Sequence, residues 1–364
     1  MKISKGAVIG LTIGLILFRF APLSPAAQSK QGMISLSREQ ILEGAKKEGK
    51  VRVTPGHDES AIPTLVKGFQ KKYPFIQTTW GIVGGTEAGQ RQLFEMAAGT
   101  SNVDAFSPSS AFFSDYFRKD LIKKYDLRAM SKAGHLKIPL EMIDDSGVVA
   151  WLGTNTGVLA YNTKLVPPGK APKSWESCLD PQWKGKFSVD TKPNVFAWLA
   201  PVWGEEKLLS FARRLKDNNP VWGRGNTRNI TALSTGEVSL NCGMYIQVIE
   251  RTLRKDPTLP IKMVIPDPFP MSYHEPEAVY ANSKNPHAAL LWIEFIASRE
   301  GQQLAESIET GRGSFLVEGT LAHKLAKGAN ISLCSDDCRH REDKLMERIA
   351  VEAWGLPKVG ARPK

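Results

Sequence analysis

Between Ser37 and Phe106 the hydrophobic period switches repeatedly from helical spacing to extended runs and back, which narrows the folds open to the chain. Ser37 and Gln40 form a capping box that opens an amphipathic helix through Ile41, Leu42 and Ala45, closed at Gly49. Lys50 to Thr54 reads as a strand broken by Pro55-Gly56. A helix carrying Leu65, Val66 and Phe69 follows and stops at Tyr73-Pro74. Ile76 to Trp80 is a second strand. Thr86, after the turn-prone Gly84-Gly85, caps a helix with Leu93, Phe94 and Ala97 that ends at Gly99. Val103 to Phe106 is a third strand, and Ser107-Pro108-Ser109 opens another helix. Strands and helices in this alternation predict an α/β fold with a parallel, doubly wound sheet.

The middle of the chain repeats the theme. Val148 to Trp151 and Val158 to Tyr161 read as extended segments on either side of Gly153-Thr154-Asn155-Thr156. Phe187 to Asp190 is a strand, with Pro193 suited to the first turn of the next helix. Asn229 to Ser234 reads as helix, Val238 to Leu240 as strand and Tyr245 to Lys255 as amphipathic helix. Lys262 to Ile265 is a strand closed by Pro266, Pro268 and Pro270. Ala278 to Tyr280 is extended, and His287 to Ala297 is a helix. No internal repeat or low-complexity linker appears. A chain that passes between two bodies on strands needs no tether.

The N-terminus speaks to location. Lys2 and Lys5 precede an uncharged run from Ala7 to Phe18, and after Arg19 come the small residues Ser24, Pro25, Ala26 and Ala27. That order is the pattern of a secretory signal peptide, here residues 1–26 with cleavage near Ala26. A membrane span needs roughly 20 apolar residues, more than this run holds. The plainer alternatives are an uncleaved anchor or a buried helix. The mature chain, about 340 residues, has room for two domains and is expected to be a soluble, monomeric, periplasmic protein. Hydrophobic content of 42% is that of a globular protein. The formal charge is +11, but the basic residues are scattered and no basic run is interleaved with aromatics, so nucleic acid is excluded as a partner. Cys334 and Cys338 are near enough in sequence to pair, leaving Cys178 and Cys242 to each other in an oxidising compartment. A metal cluster of Cys334, Cys338 and His340 lacks a fourth ligand and fits no usual zinc spacing.

The run from Trp151 to Thr163 (Trp-Leu-Gly-Thr-Asn-Thr-Gly-Val-Leu-Ala-Tyr-Asn-Thr), with Pro172-Lys-Ser-Trp175 and Asp180-Pro-Gln-Trp183-Lys-Gly-Lys-Phe187, resembles family 1 extracellular solute-binding proteins, and within them the ferric-ion-binding branch. Phe69 to Pro74, Thr235-Gly-Glu-Val238, and Asn285-Pro-His-Ala-Ala289 leading to Ser298-Arg-Glu-Gly-Gln302 agree with it. The resemblance covers residues 50 to 305 and not those beyond about 315. It implies the two-lobed type II periplasmic-binding fold, with a discontinuous first lobe at residues 33–153 and 270–364 and a second at 154–269. It also implies a small-molecule solute as ligand, the membrane permease subunits of an ABC-type importer as partners, and no cofactor.

In open α/β sheets, ligands lie beyond the carboxyl ends of the strands, where helix N-termini also point. That rule nominates Gly56, His57 and Asp58 after the first strand, Gly85 and Thr86 at a helix start, and Ser107 with Ser109 after the third strand. In the second lobe it nominates Asp190, Thr191, Asn194 and Tyr245, with Thr154, Asn155 and Thr156 lining the hinge floor. Each has a plainer reading: His57 and Asp58 as turn residues, Ser109 as a helix cap, Tyr245 as a core aromatic. Ferric-binding relatives supply a histidine, a glutamate and two adjacent tyrosines. Here His57 is displaced by one position, the glutamate's place falls near Ser109, and Ile246 follows Tyr245. The branch's anion-gripping arginines are replaced by Thr154, Asn155 and Thr156. A trivalent cation wants several hard oxygen donors, so these residues argue against tight iron binding and assign no metal site. An enzyme would draw on Cys178 or Cys242 with His57 or His274, but no Walker loop, HExxH or G-x-S-x-G motif supports one. The expectation is therefore a non-enzymatic receptor for a small polar solute, such as an organic anion, with a ferric-ion receptor as the alternative.

Overall fold

The architecture rests on two strands far longer than the rest. The computed structural model describes residues 32–357, and the leader expected at residues 1–26 lies outside them. Its strands are β1 (Lys50–Thr54), β2 (Gln77–Trp80), β3 (Ala105–Phe106), β4 (Val149–Asn162), β5 (Phe187–Asp190), β6 (Val221–Gly223), β7 (Leu240–Tyr245), β8 (Ile261–Val264), β9 (Phe269–Val279) and β10 (Ile331–Cys334). β4 and β9 run antiparallel, from Val149 opposite Ala278 to Thr156 opposite Met271. At one end they join β3, β1 and β2; at the other, β4 continues alone into pairing with β7 and β8, and β7 leads on to β5 and β6. β1 is parallel to β2 and β3, and β5 to β6 and β7. The sheet is thus mixed, not wholly parallel, because the two long strands run against each other and against β3, β7 and β8, while β10 joins β9 in parallel.

Gly153-Thr154-Asn155-Thr156 does not interrupt the extended chain, as its composition suggested. It is the middle of β4, and Thr154 and Thr156 are fully buried there. Likewise Pro266 and Pro268 end the preceding segment, with a cis bond before Pro268, while Pro270 already lies in β9.

Several local elements form as their residues dictate. The Ser37–Gln40 capping box is present, and Gly49 ends the helix Arg38–Glu48 in the left-handed region, φ 65°. Thr86 does not cap its helix: Gly85–Ala97 begins one residue earlier, after Gly84. Ser107 to Ser109 leads into a 3-10 turn before the short helix Phe113–Arg118.

The core is split. Ile41, Leu65, Phe69, Ala105, Leu152 and the largely apolar helix Pro286–Ala297 pack on the first sheet. On the second sheet, β4 alternates sides with the period of a strand: Leu159 and Tyr161 face Trp175, Phe187 and Phe196, while Val158 and Ala160 face Ile230, Met244 and Ile249. After Val317, which still belongs to the first core, the chain passes over to the second. Leu321, Ile331 and Leu333 cover one face of the second sheet; Cys334, Leu345, Ile349 and Trp354 enter the other. The end of the chain therefore sits with the second body, whereas the resemblance put it in the first.

Both disulfides left open by the sequence are formed, Cys178–Cys242 across 64 residues and Cys334–Cys338 across 4. Loop-closure entropy scales with the logarithm of that separation. Cys178→Ala with Cys242→Ala should lower stability by about 4 kcal/mol and Cys334→Ala with Cys338→Ala by about 2 kcal/mol. Urea unfolding of the two double variants checks the order.

Candidate functional site

β1 delivers Gly56, His57 and Asp58 to the junction of the two bodies. The Gly56 N–H donates to Glu277 Oε1 at 3.3 Å. A side chain at 56 would run into the Glu275 carboxylate and the Ser107 hydroxyl, so glycine is required by close approach. His57 is buried, and its Nδ1 has no hydrogen-bond partner among the described residues. The Asp58 N–H donates to Glu309 Oε1 at 3.2 Å.

These loops meet a cluster of ionisable groups on β9 and on the segment after the helix Arg299–Ile308. Arg312 donates through Nε to Glu275 Oε1 at 3.0 Å and through a second nitrogen to the same oxygen, and lies 3.1 Å from His274 Nε2. Glu275 is buried. Burial alone would raise its carboxyl, but the Arg312 guanidinium and His274 hold it well below the usual range. Glu277, two residues on, has no such partner; burial and the Glu275 charge push its carboxyl well above 4.5. Burial, reinforced by Glu275 and Asp58 against Arg312, pushes Glu309 up to about 8. Burial also lowers His57 and His274 and favours their neutral forms.

Beside this cluster a cavity of about 750 Å³ opens between the bodies. Asp58, Glu59, Glu309 and Arg312 line it from one side, and Gln247, Arg251, Arg254 and Lys255 of the helix Ile246–Lys255 from the other. Arg251 reaches Asp58 at 3.4 Å, and Arg254 donates to the Ser307 and Ile308 carbonyls and to Thr310. Asn155, on β4, accepts from Gln247 Nε2 at 2.9 Å.

The strand ends of the second sheet border a separate cavity of about 880 Å³, lined by Asp190, Thr191, Asn194, Arg224, Asn226 and Tyr245. Tyr245 precedes the helix Ile246–Lys255 and stacks on Trp198, centroids 5.5 Å apart and planes 9° apart. Burial, then the Glu342 and Asp190 charges, raise its hydroxyl and keep the phenol protonated. Asp190 accepts from the Lys192 and Gly225 backbone. The far wall comes from the chain's end: Asp343, Met346, Ala350 and Leu356.

The structure thus brings Gly56, His57, Asp58 and Ser107 together, and separately Asp190, Thr191 and Tyr245. Asn155 faces the inter-body cavity through Gln247. Thr154 is buried and accepts from the Phe315 N–H at 3.1 Å, whereas the buried Thr156 hydroxyl has no partner among the described residues. Thr86 is exposed and Ser109 packs against Gly89; neither borders either cavity. Sequence reasoning missed Glu275, Glu277, Glu309, Arg312 and Arg251. The available signal was Glu275-Pro-Glu277, two carboxylates two residues apart beside a predicted extended segment. Among the described residues no three His, Cys, Asp or Glu side chains are placed to hold a metal ion, and no helix is long and apolar enough to cross a membrane.

Two α/β bodies joined by crossover strands, with a charged cleft between them, define a two-lobed type II periplasmic-binding fold. The chain belongs to the family of bacterial extracellular solute-binding proteins, whose model matches residues 103–319. Members of this family bind small solutes and work with ABC permeases. The Fe(3+)-binding periplasmic protein of Serratia marcescens is 22% identical over 255 residues, 68% of this chain and 73% of that one. Iron-bound HitA from Pseudomonas aeruginosa superposes with a TM-score of 0.61 at 18% identity, covering 82% of this chain and 99% of HitA. AfuA from Actinobacillus pleuropneumoniae, with fructose-6-phosphate bound, gives 0.58 at 17% identity, covering 85% and 98%.

Glu277 leads to a pH prediction. The unfolded chain releases this proton near 4.5 and the native state holds it to higher pH. The native state therefore binds more protons in between, and the stability this carboxyl contributes is full below 4.5 and lost as pH rises through the folded value. Glu277→Gln keeps the neutral shape and should flatten the decline in unfolding free energy as pH rises above 4.5. Urea titrations at successive pH values measure it; an unchanged slope would mean Glu277 is ionised in the native state.

Proposed function

We propose that the chain is the extracytoplasmic receptor of an ABC-type importer, capturing a small organic anion between its lobes and handing it to the membrane permease subunits. The supporting observation is the inter-body cavity, where Arg251, Arg254, Lys255 and Arg312 face Asp58, Glu59 and a Glu309 that stays largely protonated at neutral pH. Cations outnumber ionised acids there, and guanidinium groups suit carboxylate or phosphoryl oxygens in pairs. His57, Asp58 and Asn155 complete this side of the proposed site, with Gly56 and Ser107 shaping it, Thr154 and Thr156 as the floor, and Asp190, Thr191 and Tyr245 on the second lobe. The receptor works by binding and release, not catalysis. Its lobes are proposed as residues 33–153 with 270 to about 317, and 154–269 with the segment after about 320, closing about β4 and β9 as a hinge. Tyr245 is followed by Ile246, so one phenol stands where a ferric ion's set of hard oxygen donors would need more, and this supports an organic solute.

Thermal-shift screening against sugar phosphates and di- and tricarboxylates should find a ligand that raises the melting temperature, since binding to the native state alone stabilises it by mass action. Arg251→Ala with Lys255→Ala should then weaken calorimetric affinity by at least about tenfold, one charge-assisted contact or more. A ferric-induced tyrosinate absorption band, with no response to any anion, would overturn the reading.

The chain is further proposed to reach the periplasm by cleavage near Ala26. Mass spectrometry of the exported product should give a chain starting near Ala27 or Gln28, and a full-length, membrane-retained product would contradict it.

A further inference from the structure

Asn194 lies at the strand-end face of the second lobe, where an open α/β sheet receives its ligand, yet its amide is already engaged by the chain itself. Asn194 Nδ2 and Trp198 Nε1 both donate to Glu342 Oε1, at 2.9 and 2.8 Å. Asn194 and Tyr245 line the 880 Å³ cavity, as does Asp343 beside Glu342, and Trp198 lies behind the Tyr245 ring that stacks on it. Glu342 is 9% exposed and belongs to the helix Asp336–Glu347, beyond the family match that ends at residue 319.

The carboxylate is held firmly. Arg339, one helical turn before it, donates to Ser272 Oγ at 3.1 Å and the Tyr273 carbonyl at 2.7 Å, and lies 4.4 Å over the Trp151 ring. Asp336 accepts from Trp151 Nε1 at 2.9 Å and the Asp145 N–H at 2.8 Å. Cys334–Cys338 ties the helix to β10, which pairs with β9. Glu342 is also a counter-charge to the buried Arg339 guanidinium.

We propose that Glu342 is a built-in anion: it takes the donors of the second lobe that a solute's anionic group would use, and so excludes free small anions from that face and helps to set which solutes the cleft accepts. The assignment rests on reading the cleft as the solute site. A fixed carboxylate does this in two ways. It occupies the Asn194 and Trp198 donors, and its charge repels a second anion arriving in surroundings of low dielectric. Removing it frees both donors and takes away one of the three carboxylates, with Asp336 and Asp343, that face the Arg339 guanidinium.

Inorganic phosphate titrated calorimetrically into the wild type, Glu342→Ala and Glu342→Gln tests this. Glu342→Ala should bind phosphate at least about tenfold more tightly than the wild type. Glu342→Gln should fall between, because its amide oxygen still accepts from Asn194 and Trp198 but carries no charge. Equal affinity in all three proteins, or binding in none, overturns the proposal. If Glu342→Ala does not fold, Glu342→Gln decides, and no gain over the wild type counts against it. Failure here is separable from failure of the receptor reading. An organic anion can still raise the melting temperature when phosphate is indifferent to Glu342, and an empty solute screen leaves the three-way comparison valid.

Discussion

A carboxylate taken out of water must find a cation or keep its proton, and two carboxylates separated by one proline do one each. Glu275 pairs with Arg312, and Glu277 holds a proton and accepts from the Gly56 N–H. The first pair is the fixed point of the molecule. Its carboxylate fills the space beside Gly56, and its Cβ–Cγ stem with the Arg312 carbonyl fills that beside Gly153, leaving no room for a side chain at either. Glu275 reaches this place with φ 52°, a conformation rare outside glycine, which the surrounding contacts must stabilise. The Arg312 carbonyl in turn accepts from the Thr154 N–H at 3.0 Å, and Gly313 bridges Gly153. One buried ion pair thereby joins the β1 loop, both crossovers and the segment that leads the chain back to the second lobe. Such a pair adds little stability over a well-packed apolar substitute, but it tolerates no loss of a single partner.

Elements whose signals are local were legible in the sequence. The capping box at Ser37, the strands Lys50–Thr54 and Phe187–Asp190 and the helix from Pro286 follow from residues within one or two turns. The crossovers were not, because a strand is stabilised by its neighbours more than by its own residues. Thr154, Asn155 and Thr156 look like a loop until Tyr273, Ser272 and Met271 pair with them. Pro270 and Pro276 look like breaks until the strand around them is held between partners. Glu275-Pro-Glu277 was a local signal, but nothing local pointed to the counter-charge, which lies 37 residues away.

For the site, the strand-end rule found residues that a sheet positions and missed those that lobe packing positions. Gly56, His57, Ser107, Asp190, Thr191 and Tyr245 follow strands directly. Arg251 and Arg254 sit on the helix Ile246–Lys255 and matter because the segment around Thr310 comes to meet them. Thr86 and Ser109 satisfied the rule in sequence alone. The helix at 85 starts without a side-chain cap and Ser109 packs against Gly89, so neither is brought to the cleft.

The passage of the chain back to the second lobe bears on how the cleft can open. The helix Asp336–Glu347 contacts the first lobe's side through Asp336, with hydrogen bonds from the Asp145 N–H and Trp151 Nε1 near the surface. Besides Arg339 on the crossover strand, its attachments are to the second core: Glu342 on Asn194 and Trp198, and Leu345 with Ile349 and Trp354 of the turns that continue it. Two hydrogen bonds contribute roughly 1–3 kcal/mol together. Burying three large apolar side chains contributes about 1.5–3 kcal/mol each. Any opening motion must therefore release the Asp336 contacts and carry the helix with the second lobe. Arg339, bound to Ser272 and Tyr273 on the crossover itself, then lies at the axis, where the displacement is smallest. In the proposed receptor, a wall that travels with one lobe keeps its shape whether the cleft is open or closed.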